Sequence, residues 1–163
     1  MYYQSPVGIL KISVKEGFIN EIIFLEKEEE SSFGEAFISD EDKDAFEKCR
    51  IQFDEYFAGK RKFFYLPMKQ SGTAFQERVW NELIKIPFGK TLSYLQLSQK
   101  IGNVKSIRAV GTANGRNNLS IVVPCHRVIG SDGSLTGYAG GLWRKQWLLE
   151  HENKYANGVN LLF

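Results

Sequence analysis

Two cysteines and two histidines are all that 163 residues offer to disulfide or soft-metal chemistry. Cys49 and Cys125 share no C-x-x-C spacing, and His126 and His151 have no helical H-x-x-x-H partner. This excludes a disulfide framework, fits a reducing compartment and leaves no zinc site on ligand count. Long hydrophobic runs are missing too. No window approaches the roughly 18 apolar residues of a membrane span, and the first residues show no basic stretch followed by an apolar core. We therefore expect a soluble, cytoplasmic chain with no metal, no cofactor and no membrane partner.

What is present is ordinary in amount and uneven in placement. Hydrophobic residues make up 43% and charged residues 25%, as in a globular protein with one medium or two small domains. The net charge of +2 conceals a segregation. Residues 1–66 hold 9 Lys and Arg against 14 Asp and Glu, whereas residues 67–163 hold 12 against 5. A basic second half suits a polyanionic partner; charges segregated by chance on solvated faces suit the count equally well.

Patterning divides the chain at the same place. "VGILKISVKEGFINEIIFLEK" alternates apolar and polar residues around Glu16-Gly17, as a β-hairpin would. Glu26 to Glu30 with Ser31, Ser32 and Gly34 reads as a solvated loop. From Asp40 an acidic first turn precedes Phe46, Cys49, Phe53 and Phe57 at helical spacing, closed by Gly59. Cys49 falls on that stripe and reads as core. "FFYLPMKQSG" reads as a short final strand and a linker, giving a small α+β domain over 1–69 and a second domain over 70–163.

In the second domain Thr73/Gln76 and Ser93/Gln96 are spaced as capping boxes that open helices. Pro87 and Gly89 are expected to stop the first of these. Gly102-Asn103 makes a turn before a further helix over "KSIRAVGTANG". Two short helices about a Gly-containing turn fit a helix-turn-helix, and from spacing alone a plain αα-hairpin fits better. The second helix is slim, with Ala109, Gly111, Thr112 and Ala113, and only Arg108 and Arg116 project far.

Then comes "IVVPCHRVIG", read as an apolar strand ending at Pro124 with Cys125 and His126 side by side. The thiolate, not the thiol, is a nucleophile, so a reactive Cys needs a base or a positive field. Neighbours on a strand face opposite ways. His126 can reach Cys125 only if the chain kinks at Pro124 or a water bridges them; a buried inert Cys beside a surface His is the other reading. "GSDGSLTGYAGG" follows as a loop that lets backbone approach a ligand beside Tyr138. "LWRKQWLLEHE" is an amphipathic helix expected to bury Leu142, Trp147 and Leu149. A carboxylate from its end, folded back onto His126, would complete a Cys–His–acid relay. Acyl transfer, as in a cysteine hydrolase, and alkyl transfer both use such a relay. The basic half favours the second, on nucleic acid.

"PCHRV" at 124–128, "GYAGG" at 137–141 and "WLLEHE" at 147–152, with "RAVG" at 108–111 and "GRNN" at 115–118, resemble the O6-alkylguanine-DNA alkyltransferases over residues 70 to 154. The resemblance implies an RNase H-like α+β domain followed by a helical domain with a helix-turn-helix and an active-site strand. It implies irreversible, single-turnover transfer of a methyl or larger alkyl group from O6 of guanine, and from O4 of thymine, to a protein cysteine. Residue by residue, Cys125 matches the acceptor, His126 the base acting through water, Glu152 the orienting acid and Asn117 the hinge. Tyr94 matches the tyrosine that aids nucleotide flipping and protonates the departing guanine. Arg108 matches the finger that fills the vacated stack, and Tyr138 a pocket wall. Val128 and Ala139 match backbone contacts to guanine, and Ser131 a further substrate contact. The implied partner is duplex DNA carrying O6-alkylguanine, bound through its minor groove by a monomer, with cooperative clustering left open. Ser120 and Ala139 stand where members vary. A relative that only binds the lesion lacks the acceptor cysteine, and this chain has it.

Overall fold

The computed structural model describes residues 1–26 and 38–157, and separates into two compact units, Met1–Gln70 and Ser71–Phe163. Beyond Glu26, the expected acidic loop falls outside the described residues.

The first unit is a three-stranded antiparallel sheet, β1 (Tyr2–Ser5), β2 (Gly8–Lys15) and β3 (Phe18–Phe24), with one helix, α1 (Asp40–Phe57). The expected hairpin is β2–β3. Glu16 (φ 53°) and Gly17 (φ 78°) both occupy the left-handed region, as a two-residue turn matched to strand twist requires. Alternation then buries Leu10, Ile12, Ile19 and Ile22 completely, and Cys49, Phe53 and Tyr56 of α1 are buried to the same degree. Each such side chain removed from water stabilises by roughly 1.5–3 kcal/mol. Cys49 lies in this core, where burial pushes its thiol up to about 12 and leaves it inert.

The strand expected at "FFYL" does not form. Its backbone is taken by a side chain instead: Gln52 of α1 accepts from Tyr65 N–H at 2.9 Å and donates to Tyr65 C=O at 2.9 Å. Sheet pairing shrinks to one bridge between Ile19 and Met68, in which Ile19 N–H donates to Pro67 C=O.

The second unit holds helices α2 (Ala74–Ile84), α3 (Tyr94–Ile101), α4 (Ile107–Gly115) and α5 (Leu142–Asn157), with two short parallel strands, β4 (Leu92–Ser93) and β5 (Val128–Ile129). Both capping boxes form as read, at Thr73/Gln76 and Ser93/Gln96. α2 ends before Pro87, at Ile84. Gly102 (φ 89°) closes α3. The helix expected from Lys105 begins two residues later, after a 3-10 turn over Val104–Ser106, because Asn103 Oδ1 accepts from Lys105 N–H at 3.0 Å and holds the chain in a local turn. Trp80 Nε1 donates to the Ala113 carbonyl at 2.9 Å, pinning α2 to α4.

Two expectations are corrected nearer Cys125. Residues 121–123 are turns, not a strand, and the strand follows the cysteine as β5. The cause is local: Ile121 sits at φ 71°, where the chain cannot run extended, and Val122 and Val123 donate back to Ser120 and Leu119. On α5, Leu142 is exposed, whereas Arg144 and Lys145 are buried with Leu148, Leu149, His151 and Glu152. Among the described residues no helix is long and apolar enough to cross a membrane.

Candidate active site

The site is built where α4 ends. Asn117, buried, donates through Nδ2 to the Val123 carbonyl at 2.8 Å and accepts from Leu119 N–H at 3.0 Å. This one side chain staples the irregular turn around Ile121. An isoleucine at positive φ costs of order 1–3 kcal/mol, so the strained turn persists only because Asn117 and complete burial of the segment hold it. Pro124 follows, and Cys125 opens a 3-10 turn, Cys125–Arg127, that delivers three adjacent functional side chains. Asn114 Nδ2 reaches the Cys125 carbonyl at 3.4 Å.

His126 and Glu152 meet in the interior. Both are fully buried, and His126 Nε2 lies 2.7 Å from Glu152 Oε1. A carboxylate at Nε2 sets the proton there, leaving Nδ1 as the acceptor nitrogen. Among the described residues Nδ1 makes no hydrogen bond, so the imidazole is not hydrogen-bonded to the Cys125 sulfur. Of the two routes open from the sequence, the direct hydrogen bond does not form.

Glu152 collects further donors. Arg127 gives it two, Nε to Oε2 at 2.8 Å and Nη2 to Oε1 at 2.9 Å, while Arg127 Nη1 donates to the Ile86 carbonyl at 2.7 Å. Gly89 N–H adds a contact to Oε2 at 3.3 Å. Burial opposes ionisation of Glu152, but the neighbouring His126 and Arg127 outweigh it and hold the carboxyl well below the usual range. Burial likewise pushes His126 down, which favours the neutral imidazole, while Glu152 pulls the other way. Burial raises the Cys125 thiol; the Asn117 hydrogen bond, the Lys145 charge and the backbone N–H groups of Cys125 and His126 offset part of that.

The other expected residues arrive from three elements. Tyr94 opens α3, and its hydroxyl donates to the Thr136 carbonyl at 3.0 Å. Tyr138 is half-buried and electrostatically coupled to Cys125, while Ala139 and Ser131 are exposed on the same loop. Val128 is fully buried in β5. Arg108 projects from the first turn of α4, exposed and without an ion pair among the described residues. The structure thus gathers Cys125, His126, Glu152 and Asn117 directly, with Tyr94 and Tyr138 in electrostatic reach of the sulfur. It does not bring Arg108 or Ser131 into hydrogen-bond contact with that group.

A ribonuclease-like domain of 6-O-methylguanine DNA methyltransferase matches residues 1–70, and the DNA-binding domain of the same family matches residues 74–154. The chain belongs to the 6-O-methylguanine DNA methyltransferase family. A methylated-DNA–protein-cysteine methyltransferase of Methanosarcina acetivorans is 41% identical over 93% of this chain and 98% of its own length. The crystal structure of the Mycobacterium tuberculosis O6-methylguanine methyltransferase is similar at TM-score 0.82 and 38% identity, covering 97% of this chain and 94% of that one. That of Mycobacterium tuberculosis OGT in complex with DNA reaches 0.82 and 39%, covering 94% and 92%. The family's two-domain α+β fold is therefore the fold of this chain.

Sequence reasoning overlooked Arg127, Gly89 and Lys145. Lys145 was findable, because it lies seven residues before Glu152 and so on the same face of α5. Arg127 follows His126, but nothing in the sequence says that its guanidinium turns inward. Gly89 was read only as a helix stop.

Proposed function

We propose that this methyltransferase repairs duplex DNA by moving a methyl or larger alkyl group from O6 of guanine to Cys125 Sγ, once per molecule. The observation that carries the reading is the sealed His126–Glu152 pair at 2.7 Å beside a buried cysteine. Glu152 fixes the proton on Nε2, so Nδ1 takes the Cys125 proton through one water. The thiolate then attacks the alkyl carbon. An S–C bond forms, the C–O bond breaks, and its electron pair passes into the guanine ring, which gains a proton at N3 from Tyr94. The thioether cannot be released, which ends the cycle.

An alkyl group at O6 lies within the base stack, so the nucleotide must swing out, at a cost of a few kcal/mol. Arg108, exposed and on a slim helix, fills the gap from the minor groove and offsets part of that cost. Tyr138 walls the base, with the backbones of Val128 and Ala139 and the Ser131 side chain reading its edges. The same geometry admits O4-alkylthymine. Asn117 couples the recognition helix to the cysteine turn as a hinge, and the protein acts as a cytoplasmic monomer.

Intact-mass measurement after mixing with an O6-methylguanine duplex tests the reading. One added methyl per chain is expected, and none in Cys125→Ser, which should still bind the lesion. An unchanged wild-type mass would leave a lesion-binding protein without chemistry. Arg108→Ala should slow repair in duplex DNA while leaving single-stranded substrate unaffected; equal slowing of both would remove its role in the stack.

A further inference from the structure

Asn114 lies in the last turn of α4, 4% exposed, and the two ends of its amide are unequally satisfied. Nδ2 donates to the Cys125 carbonyl at 3.4 Å. Oδ1 is buried and accepts no hydrogen bond among the described residues. Buried polar atoms are nearly always paired, so an orphaned acceptor beside a reactive cysteine calls for a donor from a ligand.

Tyr94 stands on the same face of α4. A Cβ on Gly111 would lie 4.0 Å from the Tyr94 ring, and Gly111 and Asn114 are neighbours three residues apart on the helix surface. Burial raises the Tyr94 hydroxyl, and a hydrogen bond with Asn114 is among the contacts that offset it. The amide therefore reaches both the tyrosine and the backbone of the cysteine.

The chemistry of guanine says which donor belongs there. N3, which takes the Tyr94 proton in the proposed reaction, is bonded to C2, and C2 carries the exocyclic amine. A base swung out of the duplex brings that amine without its cytosine partner, and its N–H groups need acceptors once buried. The carbonyls at this corner are already engaged. That of Cys125 accepts from Val128 N–H and Asn114, and that of Thr136 from Tyr94 and Lys145. His126 Nδ1 is reserved for the thiol proton.

We propose that Asn114 is a specificity-determining residue whose Oδ1 accepts an N–H from the 2-amino group of the flipped guanine. Drawing the Tyr94 hydroxyl from the Thr136 carbonyl to N3 opens the corner in which Oδ1 is buried. An alkylated thymine carries a carbonyl oxygen where guanine has the amine, and that oxygen would face Oδ1 with like polarity. Turning the amide over would give up the bond to Cys125. Asn114 thus favours alkylguanine over alkylthymine. The assignment rests on the proposed transfer from O6 of guanine.

Single-turnover methyl transfer to Cys125 is timed in the full chain on duplexes carrying O6-methylguanine or O6-methylhypoxanthine, which lacks only the amine. The wild type should favour the first by about tenfold or more. Asn114→Leu should cut that preference about tenfold, chiefly by slowing O6-methylguanine. Each protein is compared with itself on two lesions, so partial unfolding or a less reactive thiol divides out of the ratio. Asn114→Asp, which keeps an acceptor oxygen, should retain the preference. If Asn114→Leu does not fold, Asn114→Ala is read by the same ratio. A variant ratio equal to that of the wild type, or a wild type indifferent to the amine, overturns the assignment and leaves the proposed function standing. A wild type that takes a methyl from neither lesion overturns the proposed function and this assignment with it.

Discussion

At the scale of single residues, the site is a hierarchy of buried polar groups in which each fixes the next. Arg127 and Gly89 fix Glu152, Glu152 fixes the tautomer of His126, and Asn117 fixes the turn that presents Cys125. Removing a buried partner leaves its mate unsatisfied at ~1–3 kcal/mol. Asn117→Ala should therefore lower unfolding free energy by about that amount in urea titrations, because the Leu119 N–H loses its acceptor and the Val123 carbonyl keeps only the Cys125 N–H. The pH dependence of stability has a definite sign. His126 titrates lower in the folded chain than when unfolded, and so does Glu152. In both cases the unfolded state binds more protons, so stability falls as pH drops, first below about 6.5 through the histidine and then below about 4 through the carboxylate. Chemical denaturation across pH should show this slope in the wild type, and His126→Asn should flatten its upper part.

At the scale of elements, helix ends do the positioning. Ser93 accepts from Gln96 N–H at 3.0 Å and Gln96 returns a bond to Ser93 N–H at 2.9 Å, so the box fixes the first turn of α3, where Tyr94 sits. Ser93→Ala should cost about 1 kcal/mol in denaturant unfolding and slow alkyl transfer as Tyr94 loses its fixed origin. Gly89 occupies φ 76° and packs so closely on α5 that an added Cβ would collide with the Ala156 methyl. Gly89→Ala should destabilise by more than ~1 kcal/mol, since left-handed strain adds to the overlap. It should also displace the N–H that meets Glu152, and a lower Tm together with a slower Cys125 reaction is the expected pair of readouts. The helix ends were legible beforehand because a capping box is a local pattern. The collapse of the 121–123 strand was not, since it depends on Asn117 reaching across six residues to Val123.

At the scale of the whole molecule, charge is divided as unevenly as structure, with the excess of Lys and Arg confined to residues 67–163. Affinity for an undamaged duplex should fall linearly with the logarithm of salt, by ~0.9 for each phosphate neutralised. Arg116, exposed at the end of α4, is a candidate phosphate contact. Arg116→Ala should weaken binding evenly across sequences and reduce the magnitude of that slope by about one, as measured by fluorescence anisotropy at several salt concentrations. An unchanged slope would place Arg116 off the DNA.

Local rules suffice for the hairpin at Glu16-Gly17, the stripe of α1 and the two capping boxes, because a turn, a period or a cap is written within a few adjacent residues. Ordered motifs were enough to indicate the family and to single out Cys125, His126 and Glu152. Only the folded chain decides that His126 hydrogen-bonds to Glu152 but not to the sulfur, that Arg127 and Lys145 turn inward, and that Gln52 takes the backbone of Tyr65 from the sheet. Burial and long-range pairing set whether a polar side chain finds water or a partner, and neither is encoded within any short window of sequence.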